Sequence, residues 1–346
     1  MPTGEALFLA YRFAMDEPHP GLCLVRRLAN PSTYMARKRL AEEIQLAFLL
    51  HHPNIAQVHL AKAHRGSLHV VMEYVDGPSV DTLLNAAAVR SKPVSEAFAL
   101  YLGVELAEAL HFAHSSRGKG GELLGIVHRD VNPRHVFVGA HGEVKLSNFG
   151  AAYSLVIGRE ESPASLVRGD VAYASPEYLK KLPLTPRSDV FSLGVLLAEL
   201  LTRRHLFELD VAVQVPEGAT SLRTEYTPSL PLEQMRVLLD SFGPEHIERA
   251  VGAMAPDLRE VLHTALRVAP EERFATAADM GEALRAALTK RHPGYGRHEA
   301  AAEVARVMAE GGFSRDQDES GEGGLFLEGL GEHALDALAR ITPASS

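Results

Sequence analysis

Four short runs near the start of the chain set Leu- and Val-rich segments between polar or Gly/Pro breaks: Ala6–Tyr11, Gly21–Leu28, Ile55–Ala61 and Leu68–Tyr74. They read as β-strands. Between the second and third the period changes. Over 36–50, Leu40, Ile44, Ala47 and Leu50 recur at helical spacing and predict a helix with one buried face. From Pro93 onward the pattern is mostly helical. Ser95 offers an N-cap to a helix that carries Phe98, Leu102, Leu106 and Leu110 on one stripe. Asp189–Leu201 is apolar on most sides, as a helix buried inside a large domain must be. Strands first and helices later predict an α+β protein with two segregated lobes.

The pattern shifts again near residue 290. Glu299–Glu310 predicts one more helix, with Ala300, Val304, Val307 and Met308 on one side. Residues 311–324 are rich in glycine and carry Asp316, Asp318, Glu319 and Glu322, which reads as a flexible acidic linker. Leu335, Leu338 and Ile341 then give the tail a short amphipathic stripe. No internal repeat is present.

Composition narrows the function classes. An apolar fraction of 46% and a charged fraction of 23% are those of a globular protein. A net charge of −9 with a pI near 6.0 argues against a nucleic-acid partner, which needs a basic face. The lone Cys23 cannot close an internal disulfide, which suits a reducing compartment. The longest apolar stretch, 191–201, is interrupted by Ser192, Gly194 and Glu199, and no charged leader with an apolar core opens the chain. The expectation is a cytoplasmic protein without a transmembrane segment. The histidines form no spaced ligand set and there is no second cysteine, so no structural zinc site is expected.

Several motifs fall in a fixed order: His52-Pro-Asn-Ile55, Met72-Glu-Tyr-Val75, Ile126-Val-His-Arg-Asp130, Tyr173-Ala-Ser-Pro-Glu177, Ser188-Asp-Val-Phe-Ser-Leu-Gly194 and Pro270-Glu-Glu-Arg-Phe274. Together they resemble a bacterial, eukaryotic-like Ser/Thr protein kinase over roughly residues 1–290. The resemblance implies an N-lobe over 1–74, a hinge at 73–77 and a helical C-lobe over 78–290. A C-terminal helix at 291–310 and the linker and tail at 311–346 would follow. It also implies that the chain begins inside the Gly-rich loop, with only Gly4 left. Either the β-rich N-lobe is truncated or the true start lies upstream of Met1.

The resemblance assigns roles residue by residue. Glu177 and Arg273 would form a buried ion pair, Asp189 would accept hydrogen bonds from the catalytic-loop backbone, and His128 and Phe149 would stack between the lobes. Asp130 falls at the catalytic-base position, and a loop-organising acceptor is the other reading of it. Arg26 falls where the phosphate-binding Lys stands, with Glu43 as its regulatory-helix partner. Glu73 and Val75 fall at the hinge of the nucleotide pocket. Leu24 and Phe137 fall above and below the adenine position. Ser162 and Ser165 would be phosphorylation sites in the activation segment, with Arg129 to pair a phosphate.

Both metal-ligand positions depart from the pattern. His135 stands where the family has Asn, and Asn148 stands where it has Asp. A neutral amide brings no charge to a hard cation, and imidazole suits Zn²⁺ better than Mg²⁺. Arg26 replaces a compact ammonium with a planar fork. Asn132, Asp170 and Val171 also depart, at positions where Lys, Thr and a small residue are usual. The resulting expectation is a degenerate, pseudokinase-like protein with no metal site, for which ATP remains a candidate ligand and Mg²⁺ a doubtful one. Its partners would be other proteins, an active kinase among them. A slow Ser/Thr kinase using Asp130 is the alternative. A small-molecule phosphotransferase of the same fold would need the same missing ligands.

Overall fold

The computed structural model describes residues 6–12, 21–28, 44, 46–64, 67–89, 92–149, 170–207 and 232–311. Two compact units emerge, one built on the sheet and one on the helices.

The sheet unit holds β1 (Ala6–Arg12), β2 (Gly21–Leu28), β3 (Val58–His64) and β4 (Ser67–Glu73) in the antiparallel order β1-β2-β4-β3. Cys23, Leu28, Val70 and Val71 are its buried side chains. The third strand begins three residues later than the sequence pattern predicts. Ile55 leaves the sheet and forms an isolated parallel bridge with Leu146, and its side chain is fully buried. A run of apolar residues marks burial, and it does not by itself say against which partner.

The helical unit comprises α1 (Val80–Val89), α2 (Glu96–Ser115), α3 (Pro176–Leu179), α4 (Pro186–Thr202), α5 (Leu232–Ser241), α6 (Pro244–Val251), α7 (Pro256–Ala265), α8 (Ala277–Arg291) and α9 (Arg297–Glu310). A two-stranded ribbon, β5 (Val136–Val138) with β6 (Val144–Leu146), completes it. Ser95 caps α2 by accepting from the Phe98 N–H, and Phe98, Leu102, Leu106 and Leu110 are wholly buried. The central α4 buries residues on all sides, Asp189 and Glu199 among them.

Two segments join this core that the sequence reading placed elsewhere. Leu46, Leu50 and Ile55, from the stretch expected within the N-lobe, pack into the helical core. Ala300, Val304 and Val307 of α9 do the same. α9 is also tied by polar contacts: Glu303 accepts from both the Ser95 N–H, at 2.6 Å, and the Ser95 hydroxyl, at 2.7 Å. The Tyr295 hydroxyl donates to the same carboxylate at 2.8 Å.

Residues 75–79 are held on the ribbon. Val138 N–H donates to Pro78 O, and Ala140 N–H to Asp76 O. Gly77 is required there, since a Cβ would lie 2.0 Å from Val138 O. Among the described residues, no helix is long and apolar enough to cross a membrane.

Candidate active site

The site grows from a buried carboxylate on α4. Asp189 has no solvent exposure and accepts from the His128 N–H at 2.7 Å, the Arg129 N–H at 2.8 Å and His114 Nε2 at 2.8 Å. Burial alone would raise its carboxyl. The hydrogen bond from His114 and the charges and donors around it hold it below the usual range. Arg129 is thereby fixed in the left-handed region at φ 68°, a conformation that needs outside support in a non-glycine residue. His128 is locked from both ring nitrogens: Nδ1 accepts from the Asp130 N–H at 3.2 Å, and Nε2 donates to Ser147 O at 2.9 Å. Burial lowers its pKa, which agrees with this neutral tautomer. Its ring meets Phe149 edge-on at 4.5 Å.

Asp130 sits at the end of this scaffold, 6% exposed. Oδ1 accepts from Asn132 Nδ2 at 2.7 Å and from the Asp170 N–H at 3.0 Å. Oδ2 accepts from Asn148 Nδ2 at 3.1 Å and faces His135 Nδ1 at 3.2 Å. A carboxylate has about four acceptor positions; Asn132, Asp170 and Asn148 fill three, and His135, whose Nδ1 also lies 3.1 Å from the Asp130 carbonyl oxygen, crowds the fourth. Desolvation would raise the Asp130 pKa, but the hydrogen bond and charge of His135 and the Asp170 amide bring it below its ordinary value. It is an ionised group hydrogen-bonded or crowded on both oxygens.

The amide of Asn148 bridges Asp130 and His135. Its Nδ2 lies 3.1 Å from Asp130 Oδ2 and 3.0 Å from His135 Nε2. Turned the other way, its oxygen would confront the carboxylate. With nitrogen inward, the amide can donate to the Asp130 carboxylate on one side and face the His135 ring on the other. Asn148 reaches both from φ 65°, a left-handed conformation that Asn tolerates better than most residues. Asn132 caps the turn at 133–135 by accepting from the Arg134 N–H at 2.9 Å. Asp170 has a raised pKa, from burial first, and its carboxylate accepts from the Ala172 N–H at 3.0 Å.

Other residues singled out in the sequence stand on other elements. Arg273 and Glu177 form a bidentate pair at 2.7 and 2.8 Å. Arg26 lies in β2 opposite Val70, and Glu73 ends β4 opposite Cys23. Val75 accepts from the Gly77 N–H at 2.9 Å. Leu24 is in β2, in register with Leu9 and Met72, and Phe137 is in β5. Glu43, Ser162, Ser165 and the tail beyond 311 lie outside the described residues.

Residues 25–284 match the protein kinase domain family. The chain belongs to that family. Tyrosine-protein kinase MasK of Myxococcus xanthus is 30% identical over 262 residues, covering 74% of this chain and 36% of MasK. Serine/threonine-protein kinase PknB of Mycobacterium tuberculosis is 31% identical over 270 residues, covering 77% and 37%. Serine/threonine-protein kinase PrkC of Bacillus subtilis is 28% identical over 225 residues, covering 64% and 32%. The match thus spans only about a third of each of these relatives. The crystal structure of the Mycobacterium tuberculosis PknI kinase domain superposes with a TM-score of 0.53 at 22% identity, covering 82% of this chain and 96% of that one. The fold is the protein-kinase fold, with a small antiparallel N-lobe sheet and a helical C-lobe.

Typical protein kinases use ATP with Mg²⁺. The side chains at this kinase domain's metal positions do not suit such a cation. The group aimed between Asp130 and His135 is the NH₂ of Asn148, a donor and not a ligand. Among the described residues no cluster of three His, Cys, Asp or Glu side chains could hold a metal ion. Hard cations take oxygen ligands with negative charge, and the Asp130 carboxylate is already engaged.

Sequence reasoning noted Asn132 and Asp170 only as departures from the kinase pattern. Their part in filling Asp130 was not legible, because one acts through a side chain two residues away and the other through a backbone N–H forty residues away. His114 was missed altogether. Its place in the last turn of α2 gave no signal distinct from the apolar stripe.

Proposed function

We propose that this kinase domain is a pseudokinase, a regulatory or scaffolding module in bacterial Ser/Thr kinase signalling. The observation that carries this reading is the engagement of both Asp130 oxygens. A general base must offer a lone pair to the incoming hydroxyl proton within hydrogen-bond reach, and both oxygens of this carboxylate are taken by Asn132, Asp170, Asn148 and His135. Phosphoryl transfer relies on positioning and charge neutralisation more than on covalent chemistry, so the unsuitable metal positions weigh in the same direction. Arg26, Glu73 and Val75 would retain at most a nucleotide-binding role that does not require Mg²⁺. Glu43 would keep Arg26 company from the regulatory helix. The functional domain would run through α9, to residue 311, and the protein would act in the cytoplasm on protein partners.

The second reading is a slow serine/threonine kinase, favoured by the low pKa that keeps Asp130 ionised. The deciding experiment is a radiolabel transfer assay on purified protein with Mg²⁺ and with Mn²⁺, beside Asp130→Asn. No transfer above the Asp130→Asn background is the expected result. Transfer that the substitution abolishes would establish the slow kinase and overturn the pseudokinase. Thermal unfolding with ATP, with and without divalent metal, is the companion measurement. A shift that appears only with metal would contradict the proposed failure of the metal positions.

A further inference from the structure

Helix α9 lies wholly beyond residues 25–284, the stretch that matches the kinase domain. Its first turn sits on the turn of the β5–β6 ribbon. Arg297 Nε donates to His141 O at 2.9 Å, and its Nη2 donates to Glu143 Oε2 at 3.3 Å. Between those two residues only glycine fits, because a Cβ on Gly142 would lie 1.9 Å from Arg297 O. The Tyr101 hydroxyl of α2 donates to Gly142 O at 2.9 Å, and its ring lies 6.2 Å from that of Tyr295, just before α9. The same ribbon holds residues 76–79. Ala140 N–H donates to Asp76 O, Val138 N–H donates to Pro78 O, and Ser79 bridges Phe137. Through one turn of chain, α9 is thus linked to the segment where the helical unit begins again at Val75.

The helix that makes these contacts depends on its dock. It has 14 residues, a length at which an isolated helix is marginal in water. Its buried side chains are Ala300, Val304 and Val307, while α4 is buried along nearly its whole length. Glu303 supplies the polar hold, on Ser95 and Tyr295. Elements with few buried apolar side chains open before the core does. We infer that α9 is a strap that docks and undocks as one cooperative unit with the ribbon turn 139–143, and that its docking fixes residues 76–78 after Val75. Undocking takes Arg297 away from His141 and Glu143 and uncovers Gly142. It thereby loosens the turn whose Ala140 N–H holds Asp76. The strap is a regulatory device, since whatever competes for α9 changes the freedom of the chain after Val75. The inference is independent of the pseudokinase reading: it uses none of the partners of Asp130, and its test reads neither nucleotide binding nor phosphoryl transfer.

The test is native-state hydrogen exchange on the full chain in low urea, read amide by amide by NMR. The amides of α9, Val138 and Ala140 are expected to open with one common free energy and one urea dependence, below those of the α4 amides. Glu303→Gln weakens the hold on Ser95, nearly two turns along α9 from Arg297. It is expected to speed exchange at α9, Val138 and Ala140 alike by about tenfold, as the loss of one charge-assisted hydrogen bond would. The amides of His128 and Arg129, which donate to Asp189, should not change. Protection of Val138 and Ala140 at the level of α4, or acceleration confined to α9 in Glu303→Gln, would overturn the strap and leave α9 as local packing. Should circular dichroism show Glu303→Gln unfolded, the wild-type exchange pattern decides alone.

Discussion

Two buried carboxylates in the helical unit, Glu177 and Asp130, are satisfied by opposite means. Glu177 meets a full cation. All five N–H groups of Arg273 are engaged: Nε on Arg267 O, Nη1 on Glu177 and Arg187 O, and Nη2 on Glu177 and Val268 O. Ser188 adds a bond to Glu177 at 2.7 Å, and the guanidinium lies 4.9 Å over the Phe191 ring. Asp130 meets two side-chain amides, one backbone N–H and one imidazole, with no permanent cation among them. For a structural carboxylate saturation is the purpose. For a catalytic one it removes the function, because the lone pair that orders the loop is the lone pair the substrate needs. The same degree of hydrogen bonding therefore carries contrary meanings at the two sites.

The sharpest way to break the comparison is at Arg273. Replacing it with Met strands Glu177 in the core and is expected to lower stability by about 3–5 kcal/mol, measured by urea unfolding. Converting Glu177→Gln in the same chain should return part of that loss. If Arg273→Met costs no more than a surface substitution, the pair is not the closure described.

At Asp130 the matching change is Asn148→Asp, which sets two carboxylates where an amide now bridges them. A loss of about 2 kcal/mol at neutral pH is expected, from an exchanged donor and a new like-charge contact. Divalent cations should recover part of it, although they leave the wild-type midpoint unchanged. A metal-independent, unaltered midpoint in Asn148→Asp would mean that the amide does not bridge Asp130 and His135.

Acid separates the sites less than substitution does. Asp130, Glu177 and Asp189 all have folded pKa values below their ordinary ones. Each contributes stability that is fully present above its unfolded pKa, about 4, and that is lost as pH falls through the lower folded value. The midpoint should drop steeply below about pH 4, and less steeply in Asp130→Asn than in wild type. Asp170 has the opposite sign. Its folded pKa is raised by burial, so its ionised form opposes folding above that value and the penalty disappears as pH falls through it. Asp170→Asn keeps an acceptor for the Ala172 N–H and should raise the neutral-pH midpoint by a degree or two, roughly what a fraction of a kcal/mol produces. This is the smallest of the expected effects.

The contrast between the two carboxylates also explains what was legible in the sequence. Glu177 and Arg273 stand in motifs whose spacing points to each other, and the structure brings them together directly. His135 and Asn148 were visible as substitutions. Their joint effect was hidden, because it depends on a left-handed backbone at Asn148 and on a capped turn at 133–135. Helix periodicity gave α2 and its Ser95 cap, since amphipathic spacing is a local signal. The start of β3 was misplaced because Ile55 is buried by a bridge to Leu146, ninety-one residues along the chain, and no local pattern records that.

The tie between α9 and α2 has a consequence for synthesis. Ser95 and Glu303 are separated by 208 residues, so the N-terminus of α2 waits for a residue far along the chain before its polar contacts are complete. At a translation rate of roughly 5–20 residues per second, that wait is on the order of 10–40 s. Through it the nascent helical unit lacks the carboxylate that accepts from Ser95 and the three side chains that α9 lays into the core. The helical unit completes its closure only after that wait.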